Sequence, residues 1–222
     1  MEKCSISQQE DALFQGWPDG DSDLFCPDGL HRTGYPSKES GCWQMVSDEQ
    51  AENRWMNSKI RCLFLTKDHN LQGDQEGVDV RCETGKDNTN DRVFYRFYAR
   101  YLMLLYGLTR INLTTFTYPS LDEAKNPSNY LCHFYKTPVV CVNVKKIGGE
   151  STCSQKTLSS YLTKDKDKII KQLHIYDANV IIVCQGEPWN PSRNQNDLCH
   201  ILDLVYEMYP DLRPWKGCRV RW

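Results

Sequence analysis

The stretch "TPVVCVNVKKIGG", residues 137–149, decides how this chain is read. A run from Pro138 to Val142 leads into Asn143, then Lys145 and Lys146, then a glycine pair. A short Val-rich run bounded by turn residues is what a strand buried on both faces of an α/β sheet looks like. In open sheets of this class the ligand lies beyond the carboxyl ends of the strands. Here that end carries an amide, which both donates and accepts, and cations suited to phosphate. The plain alternative is a solvated strand end, and the rest of the chain has to decide between them.

Two other runs share this texture, "KIRCLFLT" (59–66) and "NVIIVCQG" (179–186). Between the strands the apolar period changes to that of a helix. One helix starts at Asn90 or Asp91, repeats apolar residues at 93/94, 97/98, 101/102 and 104/105, and stops at Gly107. A second, over 156–176, places Leu158, Leu162, Ile169 and Leu173 inward and Lys164, Lys166, Lys168 and Lys171 outward. A third covers roughly 195–208, and a weaker segment lies near 120–135. Alternating strands and helices predict an α/β fold, a three-layer α/β/α arrangement around a short, mostly parallel central sheet. Residues 59–222 form that domain. Residues 1–58, rich in Gly, Pro, Asp and Trp, read as an irregular N-terminal extension packed on the core, with a short helix near 47–56.

Composition narrows the class. At 222 residues, with 40% hydrophobic and 25% charged residues, the chain suits one globular domain with a core of its own. No apolar run approaches the roughly 18 residues of a membrane span. The start "MEKCSISQQE" has no apolar signal core, so a cytoplasmic protein without a membrane partner is expected. The 11 cysteines are dispersed and contain no C-x-x-C pair, which leaves little signal for zinc or an iron–sulfur cluster. Cys62, Cys141 and Cys184 lie in strand candidates, where a thiol behaves as a small hydrophobe. Reduced cysteines, no metal and no other cofactor are the expectation. The net charge of −2 hides an asymmetry: eleven acids face four bases in 1–58, and eighteen acids face twenty-three bases beyond. A polyanion-binding face would belong to the second part.

The carboxyl ends of the three strand candidates should line one edge of a parallel sheet. That places Asp68, His69, Asn70 and Asp74, from the long polar loop "KDHNLQGDQEGVDVRCETGKDNTN", near Asn143. No G-x-G-x-x-G follows the first strand and no G-x-x-x-x-G-K-[ST] occurs, which removes the main support for dinucleotide and P-loop chemistry. G-x-S-x-G is absent as well, arguing against an α/β-hydrolase.

The order of these segments resembles the uracil-DNA glycosylase superfamily, most nearly a bacterial branch with a VNVKK motif. The matching stretches are "PDGL" (27–30), "KIRCLFLTKDHN" (59–70), "VDVRCETG" (78–85), "VCVNVKKIGG" (140–149), "DKDKIIKQL" (165–173) and "VIIVCQG" (180–186). The resemblance spans about 24–208 and rests on order and spacing. It implies hydrolysis of the N-glycosidic bond of uracil or another damaged base in DNA, by a protein expected to act as a monomer. Asp68, with Asp74 as second candidate, would orient the attacking water. Asn143 would read the edge of the base, with His69 and Asn70 nearby in the pocket, and Lys145 and Lys146 would hold phosphate. Each has a bland counterpart: Asp68 as a turn or cap carboxylate, His69 as a structural or exposed ring, the lysines as a solvated surface.

The chain also departs from the superfamily pattern. "TKDHN" lacks the Gly and Pro common around the acidic residue of the first motif. The His-containing loop that follows the last strand is missing: no histidine follows His200, and the chain ends "LRPWKGCRVRW". That histidine would stabilise the departing base anion, so the chain as given is expected to be C-terminally truncated and a poor catalyst, unless Arg193 or Lys216 donates instead. A catalytically silent nucleobase- or DNA-binding module with the same fold is therefore the alternative function. An unrelated small-molecule enzyme on a doubly wound sheet is the third.

Overall fold

The apolar runs become adjacent strands. A computed structural model of the chain describes residues 4–18, 20, 22–36, 43–68, 77–82, 137–148, 153–184 and 201–211. In chain order the elements are α1 (Ile6–Gln15), β1 (Gly29–Leu30), β2 (Thr33–Pro36), β3 (Trp43–Met45), α2 (Asp48–Met56), β4 (Cys62–Asp68), a 3-10 turn (Val80–Cys82), β5 (Val139–Lys145), α3 (Gln155–Tyr176), β6 (Val180–Val183) and α4 (Ile201–Met208). The main sheet has the order β1-β5-β4-β6, and β2 pairs with β3 in a separate ribbon. β4 is central and runs parallel to both β5 and β6, whereas β1 is antiparallel to β5. The class is α/β with a mixed, mostly parallel sheet.

Both faces of the two central strands are buried, which explains their unbroken apolar texture. Leu63 and Leu65 of β4 and Val140, Val142 and Val144 of β5 face one side and join Leu158, Leu162, Ile169 and Leu173 of α3 in the core. Cys62, Phe64 and Cys141, at the alternating positions, are also fully buried. Burying each large aliphatic side chain contributes about 1.5–3 kcal/mol, so this layer carries much of the stability. α3 packs on β5 while α4 packs against β4 and α3. Ser154 caps α3, and the helix ends at Asp177, which adopts the left-handed conformation (φ 46°) that Asp tolerates better than most residues. Arg61, just before β4, donates to the Asp177 carbonyl (2.8 Å) and so ties the helix end to the start of the strand.

The N-terminal 58 residues are more regular than their composition suggests. The expected short helix is α2, but α1 and β1 are not legible as elements from composition. Each of the two helices opens with a capping box: Ser5 with Gln8, and Ser47 with Gln50. Ile6, Phe14, Ala51 and Trp55 from them join the same core as the sheet. The Trp55 indole N–H donates to the carbonyl of Tyr176 (2.8 Å), closing α2 onto the last turn of α3. Strand β4 starts and ends later than the apolar run suggests, and β5 extends to Lys145. The helix expected from 91, the segment near 120–135 and the first residues of the 195–208 helix lie outside the described residues.

Candidate functional site

The carboxyl ends of β4 and β5 lie side by side. In parallel register Thr66 is opposite Asn143 and Asp68 is opposite Lys145, while Leu65 is opposite Val183 of β6. The chain passes from β4 to β5 on one side and returns to β6 on the other, so direction reverses around β4, the kind of place where α/β sheets bind ligands. Register thus places Asp68 just beyond the row that holds Asn143. His69, Asn70 and Asp74 lie outside the described residues, as do Arg193 and Lys216.

Strand alternation gives the two lysines different surroundings. Val140, Val142 and Val144 face the α3 side, and Lys146 continues their parity. Its ammonium reaches inward to the Asp28 carboxylate (2.5 Å) and the Gln172 carbonyl oxygen on α3 (2.7 Å), 5.2 Å from the centre of the Trp17 ring. At 1% exposure, Lys146 is neither a solvated turn residue nor turned outward toward a phosphate. Burial pushes its pKa down, against the pull of Asp28. Lys145, on the opposite parity, is half-buried and donates to the Gly148 carbonyl (3.1 Å).

Asn143 is fully buried, not a strand-end amide in solvent. Its carbonyl oxygen accepts from the Thr66 hydroxyl (2.5 Å), and its side-chain NH2 donates to Asp28 Oδ2 (3.1 Å), which also accepts the Asn143 backbone N–H (2.7 Å). Asp28 reaches this place through a break in the edge pairing. Gly29 and Leu30 pair with Cys141 and Val140, and Phe25 bridges to Ile147, but the chain lifts off the strand between them. The Pro27 carbonyl accepts instead from the Val80 N–H (2.9 Å), and the Asp28 carboxylate takes the strand donor.

Gly29 makes that turn feasible. Its φ of +146° suits glycine, and a Cβ would collide with the Glu10 carboxylate and the Tyr176 hydroxyl. Those two groups extend the polar chain across the core: Gln172 donates to Asp28 Oδ1 (2.9 Å) and to the Tyr176 oxygen (3.2 Å), and Tyr176 donates to Glu10 (2.8 Å). Glu10 also accepts from the Leu30 N–H (2.9 Å) and from Arg81 (3.0 Å). Burial pushes the Glu10 carboxyl up to about 7 despite the nearby guanidinium, and raises the Tyr176 phenol well above its usual range. Burial opposes the Arg81 charge, but bonds and attraction from Asp79 and Glu10 more than offset it and raise its pKa.

Sequence reasoning misses Asp28, Thr66, Gln172 and Glu10. Asp28 alone carries a signal, as the acid of "PDGL" followed by a glycine; the other three are ordinary residue types whose role depends on tertiary neighbours. Cys62 and Cys184, with pKa values pushed to about 12 by burial, are thiols at neutral pH. Among the described residues no group of three or more His, Cys, Asp or Glu is placed to hold a metal, and no helix is long and apolar enough to cross a membrane. No family model, curated protein or solved structure matches the chain.

Proposed function

We propose that this chain is a uracil-DNA glycosylase-like protein of three-layer α/β/α architecture that takes a damaged base, uracil foremost, out of the DNA stack and hydrolyses its N-glycosidic bond. Base extrusion is required because the scissile bond is inaccessible within a duplex. The observation that carries the reading is the register at the carboxyl edge: Asn143 beside Thr66, and Lys145 beside Asp68, on adjacent parallel strands. In this reading Asp68 orients the attacking water, with Asp74 as second candidate. Asn143 reads the base edge, with His69 and Asn70 at the pocket, and Lys145 serves the phosphate backbone. The inward path of Lys146 leaves it a structural part in the same site. The sugar develops cationic character as the base leaves, so an ordered water and a nearby carboxylate are the groups the reaction needs.

One observation favours the second reading, a catalytically silent nucleobase- or DNA-binding module. The Asn143 amide is already engaged by Asp28 and Thr66, and it is fully buried. Single-turnover excision from a uracil-containing single-stranded oligonucleotide separates the two. Uracil release above the spontaneous background, reduced about 10²–10⁴-fold by Asp68→Asn, supports the glycosylase. Salt-dependent DNA binding without alkali-labile sites selects the silent module, and absence of both sinks each reading.

A further inference from the structure

The buried polar groups at the carboxyl edge converge on one carboxylate, and it comes from the N-terminal segment. Asp28 is fully buried, and among the described residues its carboxylate accepts four N–H bonds: from the Asn143 backbone (2.7 Å), the Asn143 side chain (3.1 Å), Lys146 (2.5 Å) and Gln172 (2.9 Å). A carboxylate offers about four lone-pair positions, so it is saturated. The two ends of an amide have nearly the same shape, and their hydrogen-bond partners determine which way the group points. At Asn143 the discriminating end is the nitrogen. It meets Asp28 Oδ2, which also accepts the Asn143 backbone N–H. The oxygen meets the Thr66 hydroxyl, which donates here at 2.5 Å but can equally accept, with the Val142 carbonyl (3.3 Å) as another acceptor for its proton. Reversing the amide would set its carbonyl against the Asp28 carboxylate.

We propose that Asp28 is the positioning residue of this site: it holds the Asn143 amide in one orientation and thereby sets which donor–acceptor pattern on a nucleobase edge the amide can read. The inference rests on the base-recognition role given to Asn143 above. A lactam edge, with a ring N–H beside a carbonyl, is the ligand chemistry that one fixed amide matches. An edge with donor and acceptor exchanged fits only the reversed amide. The first 58 residues are then part of the recognition site as well as of the core.

The competing explanation is that Asp28 serves only as counter-charge to buried Lys146, since breaking such a pair on one side is strongly destabilising. The double variant Asp28→Asn/Lys146→Met separates these explanations. It removes both charges at similar volume, but the introduced amide presents a donor as well as an acceptor, so Asn143 is no longer forced one way. In the 222-residue chain we expect a cooperative thermal transition, a displaced Asn143 side-chain NH2 pair in the ¹⁵N–¹H spectrum, and faster exchange of that pair with solvent. We also expect the ratio of uracil to cytosine excision in single turnover to fall about 10²-fold, the scale on which misplacement by an ångström acts. A folded double variant whose NH2 pair has not moved, or whose discrimination is unchanged, overturns the proposal. If the unmodified chain excises nothing, the glycosylase reading fails and the NH2 signature alone decides the positioning role. If the double variant does not fold, Thr66→Val decides: an Asn143 NH2 pair that stays in place shows that Asp28 holds it, and one that is lost shows that it does not.

Discussion

Replacing Glu10 by glutamine should flatten the dependence of stability on pH. Glu10 is 1% exposed and its carboxyl is pushed by burial from 4.5 to about 7 in the folded chain. A carboxyl raised on folding binds a proton in the native state that the unfolded chain has already lost. Its contribution is therefore fully present below about pH 4.5 and is lost as pH rises through 7. At about 1.4 kcal/mol per pH unit, that interval corresponds to roughly 3 kcal/mol as an upper figure. Two groups that touch it do not titrate in this window: Arg81 is held charged by its carboxylates, and Tyr176 is pushed upward by burial. Asp11 and Asp79 reach Arg81 rather than Glu10. The glutamine side chain would keep an acceptor for the Leu30 N–H and the Tyr176 hydroxyl but has no proton to gain. Urea unfolding at pH 5, 6, 7 and 8 should show the unmodified chain losing up to about 3 kcal/mol more than Glu10→Gln over that span. Equal slopes in the two proteins would show that Glu10 is ionised throughout, its donors having outweighed its burial.

Three further outcomes follow from particular contacts. Lys145→Ala should lower the salt slope of DNA binding by about one charge, whereas Lys146→Ala should leave that slope alone and cost about 3–5 kcal/mol in urea unfolding. A salt slope changed by Lys146→Ala would contradict its inward placement. Trp55→Phe keeps a ring in the core but removes the donor to the Tyr176 carbonyl, and should cost about 1–3 kcal/mol; a variant unfolding at the same urea concentration as the parent would mean that bond contributes nothing. Gly29→Ala should lower the thermal midpoint through about 1–3 kcal/mol of backbone strain together with displacement of Glu10 and Tyr176, and an unchanged midpoint would argue against the +146° φ at this position.

The legible parts of the fold are those whose period survives without tertiary context. The run from Val139 to Val144 reads as a doubly buried strand because every residue type in it except Asn143 suits burial, and α3 reads as a helix because Leu158, Leu162, Ile169 and Leu173 recur on one face. The N-terminal helices are harder to see. Both are short, and α1 puts a buried acid, Glu10, on its inward face beside Ile6 and Phe14, which blunts the apolar stripe. Their capping boxes are present in the sequence as Ser-x-x-Gln, a local signal that composition alone obscures.

At the candidate site, alternation carries more information than residue type. Lys145 and Lys146 look like one basic pair, yet they follow opposite parities of β5, and only the parity shared with Val140, Val142 and Val144 leads toward α3. Applied to the strand end, the period-2 rule assigns Lys146 to the interior and prompts a search for its counter-charge. Where that counter-charge lies is a different kind of fact. Asp28 is 118 positions away from Lys146 and sits where an edge strand breaks at Pro27, a geometry set by the pairing of two segments rather than by either alone. A buried lysine requires an acid, but the strand that bears it does not say which one. Asp28 meets that requirement and, through its second oxygen, also fixes Asn143, so the charge balance of the core and the orientation of the candidate recognition amide depend on the same side chain.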